Sequence, residues 1–416
     1  MSSRTRIIDA VDHRQGSTVP VDFGGHRSSG IAAIAYAKLK KHMGIDSGNI
    51  YVYDMVQQLA IVEQEVLDTF GIDTIEMGRG FMKDDADWKD WILPDGTECK
   101  IPAYIHVEKR GDDWYLLNGE GLDLAVQKKG CLYFEQIHWP LMNRPIEEDD
   151  FSDLAEVFKQ NMWTGVPSPG AHITLTDEGL KELEKGALNL RNSTDRAIIG
   201  LFGGNMFEIP QFLYRIDNYL LYMAMYPEAC DRLAEKLCDL HMKNLDKWLK
   251  AVGRYIDVII FGDDLGGQNG PLISTEMYRR YCKPYHKKMW SRVRELAPHL
   301  KINLHCCGGI EPLLNDLIEA GMDAVNPVQI TCNGMDPARL KEKYGERMTF
   351  WGGGCDTREV LPLGTPDEVE KHVNEQLAIM AEGGGFVFQQ VHNIMADVPP
   401  ENIVAMFKAV QEFRIK

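Results

Sequence analysis

The residues best suited to chemistry lie in Ile302-Asn303-Leu304-His305-Cys306-Cys307-Gly308-Gly309, which reads as a β-strand running into a glycine turn. A strand alternates its faces, so His305 and Cys307 project one way and Cys306 the other. A neutral imidazole and a thiolate so placed can share one zinc ion, at about 2.0 Å from nitrogen and about 2.3 Å from sulfur. Two side chains do not complete a site. The stretch Trp351-Gly352-Gly353-Gly354-Cys355 offers Cys355 just beyond another strand. One histidine and two cysteines would leave the fourth tetrahedral position open to a reactant. His392, Gln390 and Asp264 stand in reserve as the third ligand. Taken singly, each of these is as readily a satisfied core histidine or a small buried thiol. The His-x-Cys pair with a glycine loop behind it, and a further cysteine at a second strand terminus, favours a metal. Cys306 is assigned to packing.

Further charged groups fall where strands end. Phe261-Gly262-Asp263-Asp264-Leu265-Gly266-Gly267 places two adjacent carboxylates after a strand. Such a pair can do acid–base work or orient a metal ligand; Asp264 is read as catalytic and Asp263 as a cap. The loop lacks the G-x-G-x-x-G or G-x-x-x-x-G-K spacing of a nucleotide cradle, and nucleotide binding is excluded. Asp22, His26 and Arg27 follow the first strand and present both charge signs, suiting a carboxylate or phenolate substrate. Glu76 and Arg79 end the second strand, the first a candidate acid or base and the second a candidate substrate ligand. Gln390 and His392 share a face beyond the last strand, Gln390 for substrate and His392 for catalysis. A structural ion pair is an equally good reading for any one of these charged residues.

The elements that must position these residues repeat one pattern, a short apolar β-rich run, a polar loop and a helix. The runs cover residues 198–202, 258–261, 302–305, 324–328, 348–351 and 386–391, with two more upstream at 19–23 and 74–77. Alternation of this kind implies a parallel sheet, and eight runs close a (β/α)8 TIM barrel, an α/β fold in one domain over residues 1–416. Helix ends are well marked. Thr365-Pro366-Asp367-Glu368 is a capping box, Asp336-Pro337 opens a helix that stops at Gly345, and another stops at Gly321. The rhythm breaks over residues 79–161, where Pro94-Asp95-Gly96, Arg110-Gly111-Asp112 and Asn118-Gly119 punctuate short runs rich in Trp, Tyr, Ile and Val. This reads as a small β-meander inserted after the second strand and hanging over the C-terminal mouth, as a substrate lid or as a structural cap or oligomer contact.

Composition narrows the class. With 44% hydrophobic and 26% charged residues the chain is an ordinary globular enzyme in make-up. The 62 acidic against 45 basic residues, a net charge of −17, disfavour nucleic acid and anionic membranes as partners. Nine scattered cysteines, no apolar run of spanning length and no signal-like N-terminus fit reduced thiols and a cytoplasmic location.

Asp263-Asp264-Leu265-Gly266, His305-x-Cys307-Gly308, Asn326-Pro327-Val328-Gln329, the glycine run before Cys355, and His392-Asn393-Ile394 through Pro399-x-x-Asn402 resemble, in order, the uroporphyrinogen decarboxylase superfamily. The resemblance covers most of the chain outside the insertion and is strongest after Leu201. The decarboxylases of that superfamily carry an N-terminal M-R-Q-A-G-R-Y motif and use no metal. Here the matching stretch is Asp22-Phe23-Gly24-Gly25-His26-Arg27. The His-x-Cys pair resembles instead the zinc-dependent branch that exchanges methyl groups with a corrinoid protein. There the third ligand is a cysteine at the end of the last strand, where this chain has His392, so the resemblance leaves Cys355 or His392.

What the resemblance implies is a methyltransferase with Zn2+ at His305 and Cys307, Gln329 among the substrate-binding residues, and the corrinoid on a partner protein; Cys355, from its place beyond a strand, is taken as the third ligand ahead of His392. The long insertion favours transfer from a methylated small molecule, such as a methoxylated aromatic, to cobalt(I), an O-demethylase reaction. The alternatives are an acceptor-side enzyme that methylates a thiol and a metal-free decarboxylase. A homodimer is compatible with all of them.

Overall fold

The structure, a computed structural model, describes residues 1–415. Seven parallel strands form one curled sheet in the order Phe386–Val387, Thr349–Trp351, Ala324–Asn326, Lys301–His305, Val258–Gly262, Ala197–Gly203, Thr74–Glu76. The gap between its edges is filled by the segment around Val21. Val21 bridges Phe388 in parallel, the Asp22 amide donates to the Phe388 carbonyl at 2.8 Å, and the Asp73 amide donates to the Val21 carbonyl at 2.8 Å. That closes the barrel, and all eight runs read from the sequence take part in it.

Side chains of the strands sort by face. Ile302 and Leu304 point outward to the helices and belong to the large apolar core between barrel and helix ring. The inward faces hold a second core of Ala197, Ile199, Val258, Ile260, Ala324, Trp351 and Val387, into which the helix Ser3–Val11 inserts Ile7, Ala10 and Val11. That helix closes the N-terminal end of the barrel. Its Ser2 cap accepts from the Thr5 amide, which satisfies one of the free N–H groups of its first turn.

The expected helix ends are present. Thr365 and Glu368 form the reciprocal capping box of helix Pro366–Met380, Asp336 accepts from the Arg339 amide ahead of helix Pro337–Tyr344, and Gly321 ends helix Leu314–Ala320 at φ 113°.

Between the second and third barrel strands lie an antiparallel pair, Trp88–Ile92 with Glu98–Pro102, and a four-stranded antiparallel sheet, His106–Arg110, Asp113–Leu117, Asp123–Gln127 and Glu135–Gln136. The turns fall at the Pro94, Gly111 and Asn118 signals. This sheet props elements that line the barrel mouth. Leu124 packs so closely under Gly165 that an added Cβ there would meet its Cδ1 at 2.3 Å, and Gln136 donates to the Phe212 carbonyl at 3.0 Å.

Candidate metal centre and its chamber

His305, Cys307 and His392 converge at the C-terminal mouth of the barrel, each offering a ligand atom within 4.8 Å of the others. The arrangement follows from three local features. The His305 and Cys307 side chains leave the strand end on one face, with the Cys307 sulfur 3.6 Å from His305 Nε2. The backbone after them can turn only because Gly308 adopts φ +91°, and any Cβ there would meet the Gly266 backbone at 2.1 Å. The Cys307 amide donates to Asp264 at 2.8 Å, and the Gly308 amide donates to Gln329 Oε1 at 2.5 Å.

The tautomer of His305 is set by its neighbour. Asn326 Nδ2 donates to the Trp351 carbonyl at 2.9 Å and to Gln389 Oε1 at 2.7 Å, so its Oδ1 must be the acceptor. That oxygen lies 3.0 Å from His305 Nδ1, which therefore carries the proton. The Nε2 lone pair is left facing Cys307 and His392, as a metal ligand requires. Burial, with some help from the His305 ring, pushes His392 down to about 3, which leaves its ring neutral. Burial and then the Asp264 charge raise the Cys307 thiol well above its usual range.

These donors fit a tetrahedral cation. Bonds of about 2.1 Å to nitrogen and 2.3 Å to sulfur place ligand atoms roughly 3.5 Å apart, close to the 3.6 Å between His305 and Cys307. Asp264 Oδ1 stands 3.6 Å from His305 Nε2, on the cavity side.

His305, His392 and Asp264 border a chamber of about 570 Å³, also lined by Glu76, His26, Arg27 and the aromatic side chains of Trp163, Phe202 and Phe212. The four-stranded sheet does not reach this chamber. Its wall comes instead from residues following the insertion, Trp163 through Leu175. Arg27 lies 3.0 Å from Asp54 and over the Trp163 ring at 5.3 Å, so it is both paired and exposed to the chamber.

Several residues read from the sequence lie elsewhere. Cys355 is fully buried away from the cluster, its thiol directed at the Asp356 carbonyl at 3.9 Å. Gly352 and Gly353, at φ 120° and 79°, leave extended geometry before it, so its place just beyond a strand does not bring its thiol to the mouth. Asp22 has its oxygens occupied by Thr74, Trp351, Ser29 and the Gly25 amide, with His26 at 3.1 Å, and has none left for a substrate. Gln329 holds the Gly308 loop, and Gln390 is buried with its amide donating to the Gly30 carbonyl at 3.3 Å. Arg79 borders a different cavity beside the second strand. Asp263 does act as a cap, but of the helix Glu208–Tyr214, accepting from the amides of Met206, Phe207 and Glu208 as well as facing His286. Cys306 packs, its sulfur accepting from the Leu265 amide.

One chamber residue escaped the sequence reading. Glu208 opens that helix and faces the chamber, and burial followed by the Asp264 and Asp263 charges holds its carboxyl well above the usual range. Its signal was available: the Ala197–Gly203 strand runs into Gly203-Gly204-Asn205, a strand-end loop like those that carry the other candidates.

The fold and site together define a (β/α)8 barrel with a polar chamber and a candidate metal cradle at its C-terminal end. The model of the family described as "Uroporphyrinogen decarboxylase (URO-D)" matches residues 187–413, and the chain belongs to that family. Curated relatives include a uroporphyrinogen decarboxylase of Coxiella burnetii, 27% identical over 46% of this chain and 49% of its own. Another, from Methylococcus capsulatus, is 23% identical over 60% of this chain and 67% of its own. The chain thus matches about half the length of the Coxiella relative. Among solved structures, a methyltransferase from Methanosarcina mazei superposes with a TM-score of 0.56 and 16% identity over 99% of both chains, a likeness of fold.

Proposed function

We propose that this protein is a zinc-dependent methyltransferase that moves a methyl group from a methylated small molecule, such as a methoxylated aromatic, to the cobalt(I) of a corrinoid carried by a partner protein. The observation that carries this reading is the convergence of His305, Cys307 and His392 beside an open chamber. Three ligands and a free fourth position are the mark of a catalytic rather than a structural zinc site. Zinc held there would supply Lewis acidity to the ether oxygen of the substrate.

The remaining roles belong to the chain itself. Asn326 fixes the His305 ring and its tautomer. The apolar walls of Trp163, Phe202 and Phe212 hold an aromatic ring and exclude water. The Glu208 carboxyl, held above the usual carboxylate range by burial and then by the Asp264 and Asp263 charges, is the group that gives a proton to the oxygen that departs with the bonding pair of the broken C–O bond. The name of the curated relatives supports a metal-free decarboxylase as the second reading. Against it stand the ligand set and Asp22-Phe23-Gly24-Gly25-His26-Arg27 in place of the decarboxylase arginine motif.

The test combines metal analysis with a cobalt spectrum. Purified protein should hold about one zinc per chain. Mixed with a cobalt(I) corrinoid protein and methoxylated aromatics, it should convert the cobalt spectrum to the methylated form. Glu208→Gln should slow that conversion by roughly a hundredfold without changing the zinc content. Less than about half an equivalent of metal, or no spectral change with ethers, amines or thiols, would return the decarboxylase reading.

A further inference from the structure

A second cavity, of about 510 Å³, lies behind the wall of the metal chamber, sharing Glu76, Gly78 and Pro169 with it. Its polar lining is rich in unused donors. The Tyr53 hydroxyl, in a residue 5% exposed, has no hydrogen-bond partner among the described residues. Arg79 donates from Nη1 to the Val62 carbonyl at 2.7 Å and makes no ion pair among the described residues. Glu76, 6% exposed, makes no hydrogen bond or ion pair there either, and burial raises its carboxyl to about 7, where it can donate too. The other charged groups are already engaged or lie in solvent: Glu63 is held by Lys40, while Glu65, Lys83 and Asp85 are exposed at the rim. The apolar lining is aromatic and flat. Tyr51 and Trp88 meet edge to face at 4.7 Å between ring centroids, with Phe81 and Met82 beside them.

Leaving the Tyr53 phenol buried without a partner among the described residues, and the half-buried Arg79 guanidinium with the Val62 carbonyl as its one acceptor there, costs free energy that a bound anion would recover. A single unpaired cation beside a protonatable Glu76 suits one negative charge. A phosphate dianion would meet Glu76 and Glu63 at close range. We propose that this cavity is a binding site for a small aromatic carboxylate, its carboxylate on Arg79 and the Tyr53 hydroxyl and its ring against Tyr51, Trp88 and Phe81. This site does not depend on the methyl-transfer reading.

Calorimetric titration of the full-length protein with benzoate, benzamide and hexanoate tests it. Benzoate should bind at one site per chain, with benzamide and hexanoate each at least about tenfold weaker. Arg79→Gln should weaken benzoate by at least about tenfold, and Tyr53→Phe, which removes one oxygen and leaves the ring in place, by roughly threefold to tenfold. His305→Ala and chelator-treated protein should bind benzoate as the parent does. Absence of benzoate binding up to about 10 mM, which corresponds to only about 3 kcal/mol, would overturn the proposal. So would equal binding of benzamide or hexanoate, or unchanged affinity in a folded Arg79→Gln or Tyr53→Phe protein. Loss of binding in His305→Ala would place benzoate in the metal chamber instead and overturn it as well.

Discussion

The two ends of the barrel interior are built from the same strands in opposite ways. At the N-terminal end the inward side chains are mostly apolar, Ile199, Val258, Ala324 and Val387 packed on Ile7, Ala10 and Val11, with the Lys301–Asp12 pair as the exception. At the C-terminal end they are polar: His305 and Asn326 are tied to Gln389 and Ser28, Asp22 is tied to Thr74, and Glu76 stands unpaired beside them among the described residues. The Lys301–His305 strand samples both on one face. Lys301 pairs with Asp12 at the closed end, His305 stands in the ligand cluster at the open end, and Asn303 sits fully buried between them. The contrast teaches that stability and chemistry are held by separate layers of one core, so each can be perturbed without the other.

Four substitutions press on that separation. On the function proposed above, His305→Ala should lower methyl transfer by at least about a thousandfold and zinc below about half an equivalent, while the melting temperature measured on metal-free protein moves little. A large fall in melting temperature without metal would show that the open end also carries stability. Ile199→Ala, at the closed end, should cost about 2–5 kcal/mol in urea unfolding, with full zinc content below the transition. Loss of zinc from the folded variant would break the separation from the other side.

Glu76 gives an effect with a sign. Its folded value of about 7 exceeds the usual 4.5, so the folded protein holds that proton where the unfolded chain has released it. The resulting stability is complete below the lower value and is lost as pH rises through the higher one. The parent should therefore lose about 2 kcal/mol relative to Glu76→Gln between about pH 5 and about pH 8. Parallel pH profiles for the two proteins would show that Glu76 is solvated. The smallest effect is expected at Asn303, whose amide has no hydrogen-bond partner at either atom among the described residues. Asn303→Leu should fold within about 1 kcal/mol of the parent; a loss of more than about 2 kcal/mol would reveal a bridging water there.

The barrel was legible because its signals are local. Each strand is a short apolar run, and each helix carries its own cap, as at Thr365, Asp336 and Gly321. The His305–Cys307 pair was legible for the same reason, being two residues apart on a regular strand. The third member was not. Cys355 is singled out by lying just beyond a strand, across Gly352 and Gly353, and a shared face is assumed beyond Val387 for Gln390 and His392. Both segments have left extended geometry by then, so Gln389 rather than Gln390 meets the polar network, and His392 arrives from an irregular loop. Glu208 was missed because its carboxyl is brought into the chamber by a helix whose first turn is anchored on Asp263, 55 residues away.

The plug formed by helix Ser3–Val11 has a kinetic consequence. With Ile7, Ala10 and Val11 seated among the inward side chains, the N-terminal end of the barrel is packed shut, and the chamber lies at the C-terminal mouth. That shared mouth imposes an itinerary under the reading proposed above: a small substrate must be inside before a protein partner covers the mouth, and the demethylated product waits until that partner leaves. Turnover would then follow the partner's residence time, and excess partner would slow the enzyme by sealing it before it is loaded.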